Sequence, residues 1–270
     1  MSTRTILEAQ HISLSYQQKG STKPVLNDVS LQLAAGEVLA ILGFSGSGKS
    51  SLLRVLAGLK KPQQGQVIVH GETSHGPHPH IGFMFQDPCL LPWLTLEANV
   101  EFGLRLKNQK HVSKQERKAR VAAILKEVGL AHAAKNYPAS LSGGMAQRGN
   151  LARSLVRQPD VLLLDEPFSA LDAVTRTEMQ QLLLQTIKNH NTAAVLVTHD
   201  IDEALEVADR IVLLGGTPSH VVASWQLDAR TSNEPCELRA RIYDDIVNTL
   251  RQDRSAATPH NIEQLVAIPA

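Results

Sequence analysis

Residues 43–50, GFSGSGKS, constrain the fold of this chain more than any other stretch. The short apolar run EVLAILG at 37–43 leads directly into them, and KSSLLRVLAGL at 49–59 follows with apolar residues at helical spacing. The stretch fits G-x-x-x-x-G-K-[ST], a glycine-rich loop between a buried strand and a helix that wraps phosphate groups. The order strand, loop, helix therefore predicts an α/β fold with a phosphate-binding loop.

Other segments repeat the alternation of strand and helix. Helical stretches at 172–190 and 201–210 separate three short apolar runs, and this implies a parallel sheet with helices on both faces. The apolar runs are VLLLDEP at 161–167, AAVLVTHD at 193–200 and RIVLLGG at 210–216. Two further strands are predicted from ILEAQHISLSY at 6–16 and GQVIVHGE at 65–72.

Two regions have a different character. Residues 87–158 are predicted to be mostly helical, and Ser113 with Glu116 forms a capping-box pattern at the start of one helix. Residues 226–270 are polar and mixed, with one helix-like stretch, CELRARIYDDIVNTL. The chain therefore reads as an α/β domain over 1–225, with a helical insertion at 87–158, followed by a short helical extension.

Composition excludes several classes of protein. The 270 residues are 43% hydrophobic and carry a formal net charge of +1, so a nucleic-acid binder, which would show a basic excess, is not expected. No apolar run approaches the ~18 residues that span a bilayer. The first residues lack a signal-peptide core. We expect a cytosolic protein that reaches a membrane only through partners.

The phosphate-binding loop predicts specific contacts with a nucleotide. Backbone N–H groups would surround the phosphates, Lys49 would reach the β and γ oxygens, Ser50 would bind Mg²⁺, and Ser51 would contact the α-phosphate. The residues assigned to this loop are Gly43, Phe44, Ser45, Gly46, Ser47, Gly48, Lys49, Ser50 and Ser51.

Several polar residues follow apolar strands. Asp165 and Glu166 stand at the end of the apolar strand in VLLLDEP, which is predicted to lie next to the strand that enters the loop. Asp165 would complete the Mg²⁺ shell, and Glu166 would polarise a water. The alternative is a pair of solvated carboxylates without such a role. His199 ends AAVLVTHD and is placed to contact the γ-phosphate. Gln86, after IGFMF, would complete the metal shell or sense that phosphate.

A second glycine-led helix start lies at LSGGMAQR, residues 141–148. Ser142, Gly143 and Gly144 would present unpaired backbone N–H groups to an anion. One nucleotide has no need of two such nests, so this segment raises the question of which nucleotide it serves.

Two further features leave alternatives open. Tyr16 ends the first predicted strand and is either an adenine-stacking residue or a surface tyrosine. Four histidines crowd residues 70–80, HGETSHGPHPH, where zinc-ligand spacing is possible, but incidental metal binding in a glycine- and proline-rich loop is the preferred interpretation.

Six motifs, in this order, resemble those of the ATP-binding subunits of ATP-binding cassette (ABC) transporters over about residues 5–225. They are GFSGSGKS, Gln86, LSGGMAQ, VLLLDEP, SALD at 169–172 and His199. The resemblance implies a P-loop NTPase core with a parallel sheet, an antiparallel β-subdomain and a helical subdomain. It also implies that ATP and Mg²⁺ are bound and that ATP is hydrolysed.

The resemblance answers the question of the second nest. Such subunits pair head to tail, so Ser142, Gly143 and Gly144 would contact the ATP held by the partner's loop, with Asp172 in the loop that crosses between monomers. It makes Glu166 the general base, His199 the switch histidine, Tyr16 the adenine-stacking residue, and Gln86 the link to the helical subdomain. Gly149–Asn150 departs from the small or apolar residues usual in the signature helix.

A narrower likeness concerns LLPWLTLEANVEFGL, LSGGMAQR and EPFSALDAVTR, which resemble the nitrate/sulfonate/taurine importer group. It implies a homodimer on the cytoplasmic face of the bacterial inner membrane, bound to a permease dimer and served by an extracytoplasmic substrate-binding protein. The stretch around Trp93 would dock on the permease, unless that tryptophan is a core residue. A soluble cassette ATPase and a lipid transporter remain the alternatives.

Overall fold

The computed structural model describes residues 4–18, 21–105, 112–227 and 236–256. Its strands form two sheets, a six-stranded sheet in the order β10-β9-β3-β8-β7-β6 and a four-stranded sheet in the order β2-β1-β4-β5. In chain order the strands are β1 (Thr5–Gln18), β2 (Ser21–Ala34), β3 (Val38–Leu42), β4 (Gln64–Val69), β5 (Glu72–Thr73), β6 (Ile81–Met84), β7 (Val161–Asp165), β8 (Ala193–Val197), β9 (Arg210–Gly215) and β10 (His220–Gln226).

Seven α-helices accompany these strands in the described part of the chain, with three short 3₁₀ turns between Gly103 and Ser140. The helices are α1 (Lys49–Leu56), α2 (Leu96–Phe102), α3 (Lys114–Glu127), α4 (Gly143–Leu155), α5 (Ala173–His190), α6 (Ile201–Val207) and α7 (Cys236–Ala256). The predicted caps at Ser113 and Asp172 are present, since each side chain accepts a hydrogen bond from a first-turn N–H.

The six-stranded sheet is parallel except at one edge, where β10 pairs antiparallel with β9. The sequence analysis missed β10, an edge strand whose residues are mostly exposed or half-buried. It therefore lacks the continuous apolar run that marks β3, β7 and β8, whose residues are all buried.

One predicted neighbour relation is wrong. The strand that ends in Asp165, β7, does not lie next to β3, because β8 pairs with both and separates them. Parallel strands need crossover connections that can pass over a neighbouring position, so order along the chain does not fix order in the sheet.

The two faces of the parallel sheet are covered differently. Leu39 and Ile41 of β3 pack into a core with α1 and the antiparallel sheet. Ala40 and Leu42 point to the opposite face, where α6 and α7 cover them. Fully burying a leucine or isoleucine side chain contributes about 1.5–3 kcal/mol, so this alternation along β3 fixes which face meets which layer.

Helices α2, α3 and α4 share one core with α5 and with side chains of β7 and β8. Gly149 in α4 permits part of this packing, because a Cβ there would lie 2.7 Å from Leu96 Cδ1 of α2. Residues 106–111 of the predicted helical subdomain lie outside the described residues.

The C-terminal helix α7 packs on the sheet. Ile246 is fully buried with Leu42 and Leu213, and Ile242 and Leu250 lie against the same cluster at helical spacing. Residues 228–235 and 257–270 of the predicted extension at 226–270 lie outside the described residues.

Candidate nucleotide-binding site

The phosphate-binding loop connects β3 to α1 at the carboxyl edge of the parallel sheet. A Cβ on Gly43 would lie 2.5 Å from the Leu214 carbonyl oxygen, so only glycine fits there. Gly46 and Gly48 have φ of 84° and 85°, the left-handed region that glycine enters without strain. A Cβ on Gly46 would meet no atom within 4 Å, so the loop is open on that side.

Lys49, the first residue of α1, closes this loop. Its side chain is buried, and Nζ donates to the carbonyl oxygens of Gly43 at 2.8 Å and Phe44 at 2.9 Å. Burial lowers the pKa of Lys49, and the nearby carboxylates of Glu166 and Asp165 act in the opposite direction. The cation is thus held beside the helix N-terminus, where phosphate oxygens are favoured.

Ser50 of α1 and Asp165 of β7 meet at the carboxyl edge of the sheet, although β7 is not a neighbour of β3, the strand that leads into the loop. Ser50 Oγ donates to Asp165 Oδ1 at 2.7 Å, and Asp165 is buried at the end of β7. A hydroxyl and a carboxylate are the hard oxygen ligands that Mg²⁺ prefers, so this pair fits the predicted metal site.

Glu166 brings the other predicted strand-end residues together. Its Oε2 accepts from Gln86 Nε2 at 3.2 Å, and its Oε1 lies 3.4 Å from His199 Nδ1. Glu166 has φ of 45°, an uncommon backbone conformation for a residue with a side chain. A carboxylate between an imidazole and an amide, beside a phosphate loop, is placed to accept a proton from a water molecule.

Gln86 is held by a second contact that sequence analysis did not predict. Its Nε2 also lies 3.4 Å from Ser169 Oγ, which donates to the Glu166 carbonyl oxygen at 3.1 Å. Gln86, which lies between strand β6 and helix α2, is thus linked to the segment that follows Asp165.

Tyr16, predicted to stack on adenine, lies against the phosphate loop. Its hydroxyl is 3.1 Å from Ser51 Oγ, and Lys60 Nζ lies 4.8 Å from its ring centroid. One part of the ring therefore already has a cation–π partner. Its contact with a base remains a prediction.

The second glycine-led nest begins α4. Ser142 is the N-cap, and its Oγ accepts from Met145 N at 3.3 Å. A Cβ on Gly143 would meet no atom within 4 Å, whereas one on Gly144 would lie 2.5 Å from Thr175 Cγ2. The nest thus rests on α5 through Gly144 and is open at Gly143.

Asp172 caps the neighbouring helix α5. Its carboxylate accepts from Thr175 N at 3.0 Å, Thr175 Oγ1 at 2.7 Å and Val174 N at 3.1 Å, and these bonds, led by the one from Thr175 N, lower the pKa of Asp172. Asp172 and the nest thus both contact Thr175.

Four side chains of α4, which we call the α4 ladder, bind the segment around Gln86, and sequence analysis missed this function. Each donates to a backbone carbonyl oxygen between residues 83 and 89. The pairs are Gln147 with Gln86 O (2.7 Å), Asn150 with Phe85 O (3.1 Å), Arg153 with Pro88 O and Cys89 O (both 2.7 Å), and Ser154 with Phe83 O (2.9 Å). Helix α4 therefore joins the second glycine-led nest, which we also call the LSGG nest (Ser142, Gly143 and Gly144), to Gln86, which contacts Glu166.

The sequence carried a signal for this ladder. Gln147, Asn150 and Ser154 are buried polar residues at i, i+3 and i+7, the spacing of one helix face. Burying such groups without partners is costly, so a polar stripe on an otherwise apolar face indicates hydrogen bonding. These contacts explain the unusual Gly149–Asn150 pair. Gly149 leaves room for the Leu96 side chain, and the Asn150 side chain donates a hydrogen bond to the Phe85 carbonyl oxygen.

We expect Asn150→Ala to lower the free energy of unfolding by about 1–3 kcal/mol, because it leaves a half-buried carbonyl without its donor. Urea denaturation measures this. Asn189→Ala is the control, since the exposed Asn189 donates only to Glu127 at 3.3 Å, and it should change stability by less than about 0.5 kcal/mol. Equal effects of the two variants would contradict a structural role for the ladder.

Arg176 connects two of the loops that reach the site. Its guanidinium lies 3.5 Å from Asp200 Oδ2 and 3.6 Å from Glu203 Oε1, and it donates to the Leu171 carbonyl oxygen at 3.3 Å. Burial raises the pKa of Glu203. Leu171 precedes Asp172 and Asp200 follows His199, so Arg176 links the two segments that carry these site residues.

Trp93 is not a core residue, since 69% of its surface is exposed. The alternative of a buried tryptophan is therefore wrong.

The fold and the site together define an ATPase with a P-loop and a second glycine-led nest, the ATP-binding cassette class. The chain belongs to the ABC transporter family, whose model matches residues 26–169. The predicted fold class, family and ATPase activity are confirmed.

Relatives of similar length support this assignment. The chain is 48% identical over 222 residues to a taurine import ATP-binding protein, TauB, of Pseudomonas aeruginosa, covering 82% of this chain and 83% of that protein. It is 43% identical over 245 residues to an aliphatic sulfonates import ATP-binding protein, SsuB 2, of Burkholderia cenocepacia, covering 89% and 87%.

A solved structure has the same fold. It is the dimeric ATP-binding cassette MJ0796 in a post-hydrolysis state bound to ADP and Pi, with a TM-score of 0.74 and 32% identity. The likeness covers 83% of this chain and all of that one.

Proposed function

We propose that this chain hydrolyses ATP as one of two identical subunits that power import of a small sulfonate, such as taurine or another alkanesulfonate. The observation that carries the proposal is the 43–48% identity to taurine and aliphatic sulfonate import subunits over more than four-fifths of the chain. Nitrate and heterocyclic precursors are the alternative substrates within the same importer group.

The residues act on ATP as follows. Backbone N–H groups from Ser45 to Ser50 and the Lys49 ammonium bind the phosphates, and Ser51 contacts the α-phosphate. Glu166 accepts a proton from the attacking water, and His199, 3.4 Å from its carboxylate, orients the glutamate and the γ-phosphate.

Mg²⁺ would be held by Ser50, Asp165 and Gln86. The first two already share a hydrogen bond, and all three offer oxygen atoms. When bound, the ion supplies positive charge that neutralises the phosphate oxygens.

A second copy completes each site. Ser142, Gly143 and Gly144 of one copy would contact the γ-phosphate bound by the other, with Asp172 at the crossing between them. The open space beside Gly143 and beside Gly46 supports this arrangement, since both nests can accept a ligand oxygen. The dimeric state of MJ0796 supports it too.

The membrane partners follow from the same proposal. A permease dimer would receive the subunits at the surface around Trp93, and an extracytoplasmic binding protein would deliver the solute, so the chain would lie on the cytoplasmic face of the inner membrane. Among the residues that the structure describes, no helix is long and apolar enough to cross a bilayer. The exposed tryptophan is suited to anchoring a partner.

Reconstitution of the transporter in proteoliposomes tests the proposal. We expect ATP-dependent uptake of taurine or an alkanesulfonate and not of nitrate or a pyrimidine precursor, and Lys49→Ala should abolish it. Uptake of only nitrate or only the precursor would contradict the sulfonate assignment. Purification of the subunit with a ribosome or with a lipid exporter, and without a permease, would contradict import.

A further inference from the structure

A cluster of metal-ligating side chains lies away from the nucleotide site. His70 Nε2 is 2.8 Å and His80 Nδ1 is 2.7 Å from the same atom, Asp160 Oδ2. The donor atoms of these three residues all lie within 4.8 Å of one another. The two imidazole rings meet edge to face, with centroids 5.4 Å apart.

Three different segments bring the cluster together. His70 follows β4, His80 immediately precedes β6, and Asp160 immediately precedes β7, the parallel neighbour of β6. Asp160 is separated from Asp165 by the length of β7, about 16 Å at the usual rise per residue. The cluster is therefore at the amino edge of the sheet, and the nucleotide site is at the carboxyl edge.

Backbone hydrogen bonds hold each ligand segment in place. Asp160 N donates to His80 O at 2.9 Å, and His70 N donates to Ile6 O at 3.0 Å. Arg157 donates to the Pro79 carbonyl oxygen at 3.2 Å and so anchors the residue before His80. The arrangement is built by the sheet and does not depend on the glycine- and proline-rich loop alone.

We propose that His70, His80 and Asp160 form a binding site for a divalent transition metal of the zinc type. Two imidazole nitrogens and one carboxylate oxygen are a ligand set that Zn²⁺ takes, with water as the fourth ligand. Tetrahedral geometry at bond lengths of about 2.0–2.2 Å separates ligand atoms by about 3.3–3.6 Å, within reach of small side-chain rotations here. Each imidazole would bind the metal through an unprotonated nitrogen and carry its proton on the other ring nitrogen.

The metal would join two layers of the fold. His70 directly follows β4 of the antiparallel sheet, and His80 and Asp160 directly precede β6 and β7 of the parallel sheet. A ligand that binds only the folded state stabilises it. The proposed site is thus a clip between the two sheets and takes no part in ATP chemistry.

Zinc binding by the tag-free, chelator-treated full-length protein tests this proposal. Equilibrium dialysis at low-micromolar free Zn²⁺ should give one equivalent per chain. His80→Ala and Asp160→Asn should weaken binding at least about tenfold, and Zn²⁺ should raise the Tm of the wild type but not of these variants. Both variants should retain ATP hydrolysis, which shows that they fold.

His75→Ala is the matched control, since His75 lies in the same segment but outside the cluster, and it should bind zinc as the wild type does. Co²⁺ should show visible d–d bands without thiolate charge transfer, which would exclude the exposed Cys89 as a ligand. Binding that persists in His80→Ala, that is lost in His75→Ala, or that is absent in the wild type would overturn the proposal.

Discussion

Glu166→Gln should lower the ATP turnover of this protein by about 10²- to 10⁴-fold while ATP still binds. The amide has the shape of the carboxylate, so the contact with Gln86 can persist, but it cannot accept a proton at neutral pH. The loop that binds the phosphates, including Lys49, is unchanged. ATP should therefore remain bound. The ATP-bound dimer, which hydrolysis normally causes to dissociate, should accumulate.

A steady-state hydrolysis assay measures the loss of ATP turnover, and size-exclusion chromatography with ATP measures the accumulation of the dimer. Glu206→Gln is the control, an exposed glutamate on α6 whose change should leave turnover within about twofold of wild type. If Glu166→Gln kept near-normal turnover, Glu166 would not be the base.

Ser142→Arg should abolish hydrolysis by the complete complex and leave ATP binding by a single chain intact. The new side chain would enter the open space beside Gly143 and block the phosphate of the nucleotide held by the partner. Losing donors aimed at a reacting oxyanion costs about 10²- to 10³-fold, and blocking the nest removes several at once. The variant's own phosphate-binding loop is untouched.

Loss of the helix cap is a separate effect of this change. Ser142 Oγ accepts from Met145 N, and its removal costs about 1 kcal/mol of stability. Ser142→Ala loses the same bond without adding bulk, so it should show the same fall in Tm and a smaller loss of turnover. Equal turnover of the two variants would refute steric blocking of a shared site.

The sequence predicted the parts of this site that are local. GFSGSGKS follows a strand and opens a helix, Asp165 and Glu166 end a buried strand, and Asp172 caps α5. Each depends on neighbours a few residues away, and glycine spacing, apolar runs and capping residues record such neighbours directly.

What the sequence did not give is the spatial arrangement of distant elements. The wrong placement of β7 beside β3 is one case. The sequence of a crossover connection does not show which other strand lies between the strands that it joins. The α4 ladder is another, since Asn150 and Phe85 are 65 residues apart in the chain. The buried polar stripe of the α4 ladder indicates that these side chains have hydrogen-bond partners, but it does not identify the carbonyl groups that accept from them.

Mixing two inactive variants tests most directly whether each ATP is enclosed by two chains. Lys49→Ala damages the phosphate-binding loop, and Ser142→Arg damages the LSGG nest. Random pairing of equal amounts makes half of the dimers mixed, and each mixed dimer has one complete site of two, so about one quarter of wild-type hydrolysis should return. A mixture as inactive as its parents would contradict a nucleotide site shared between two copies.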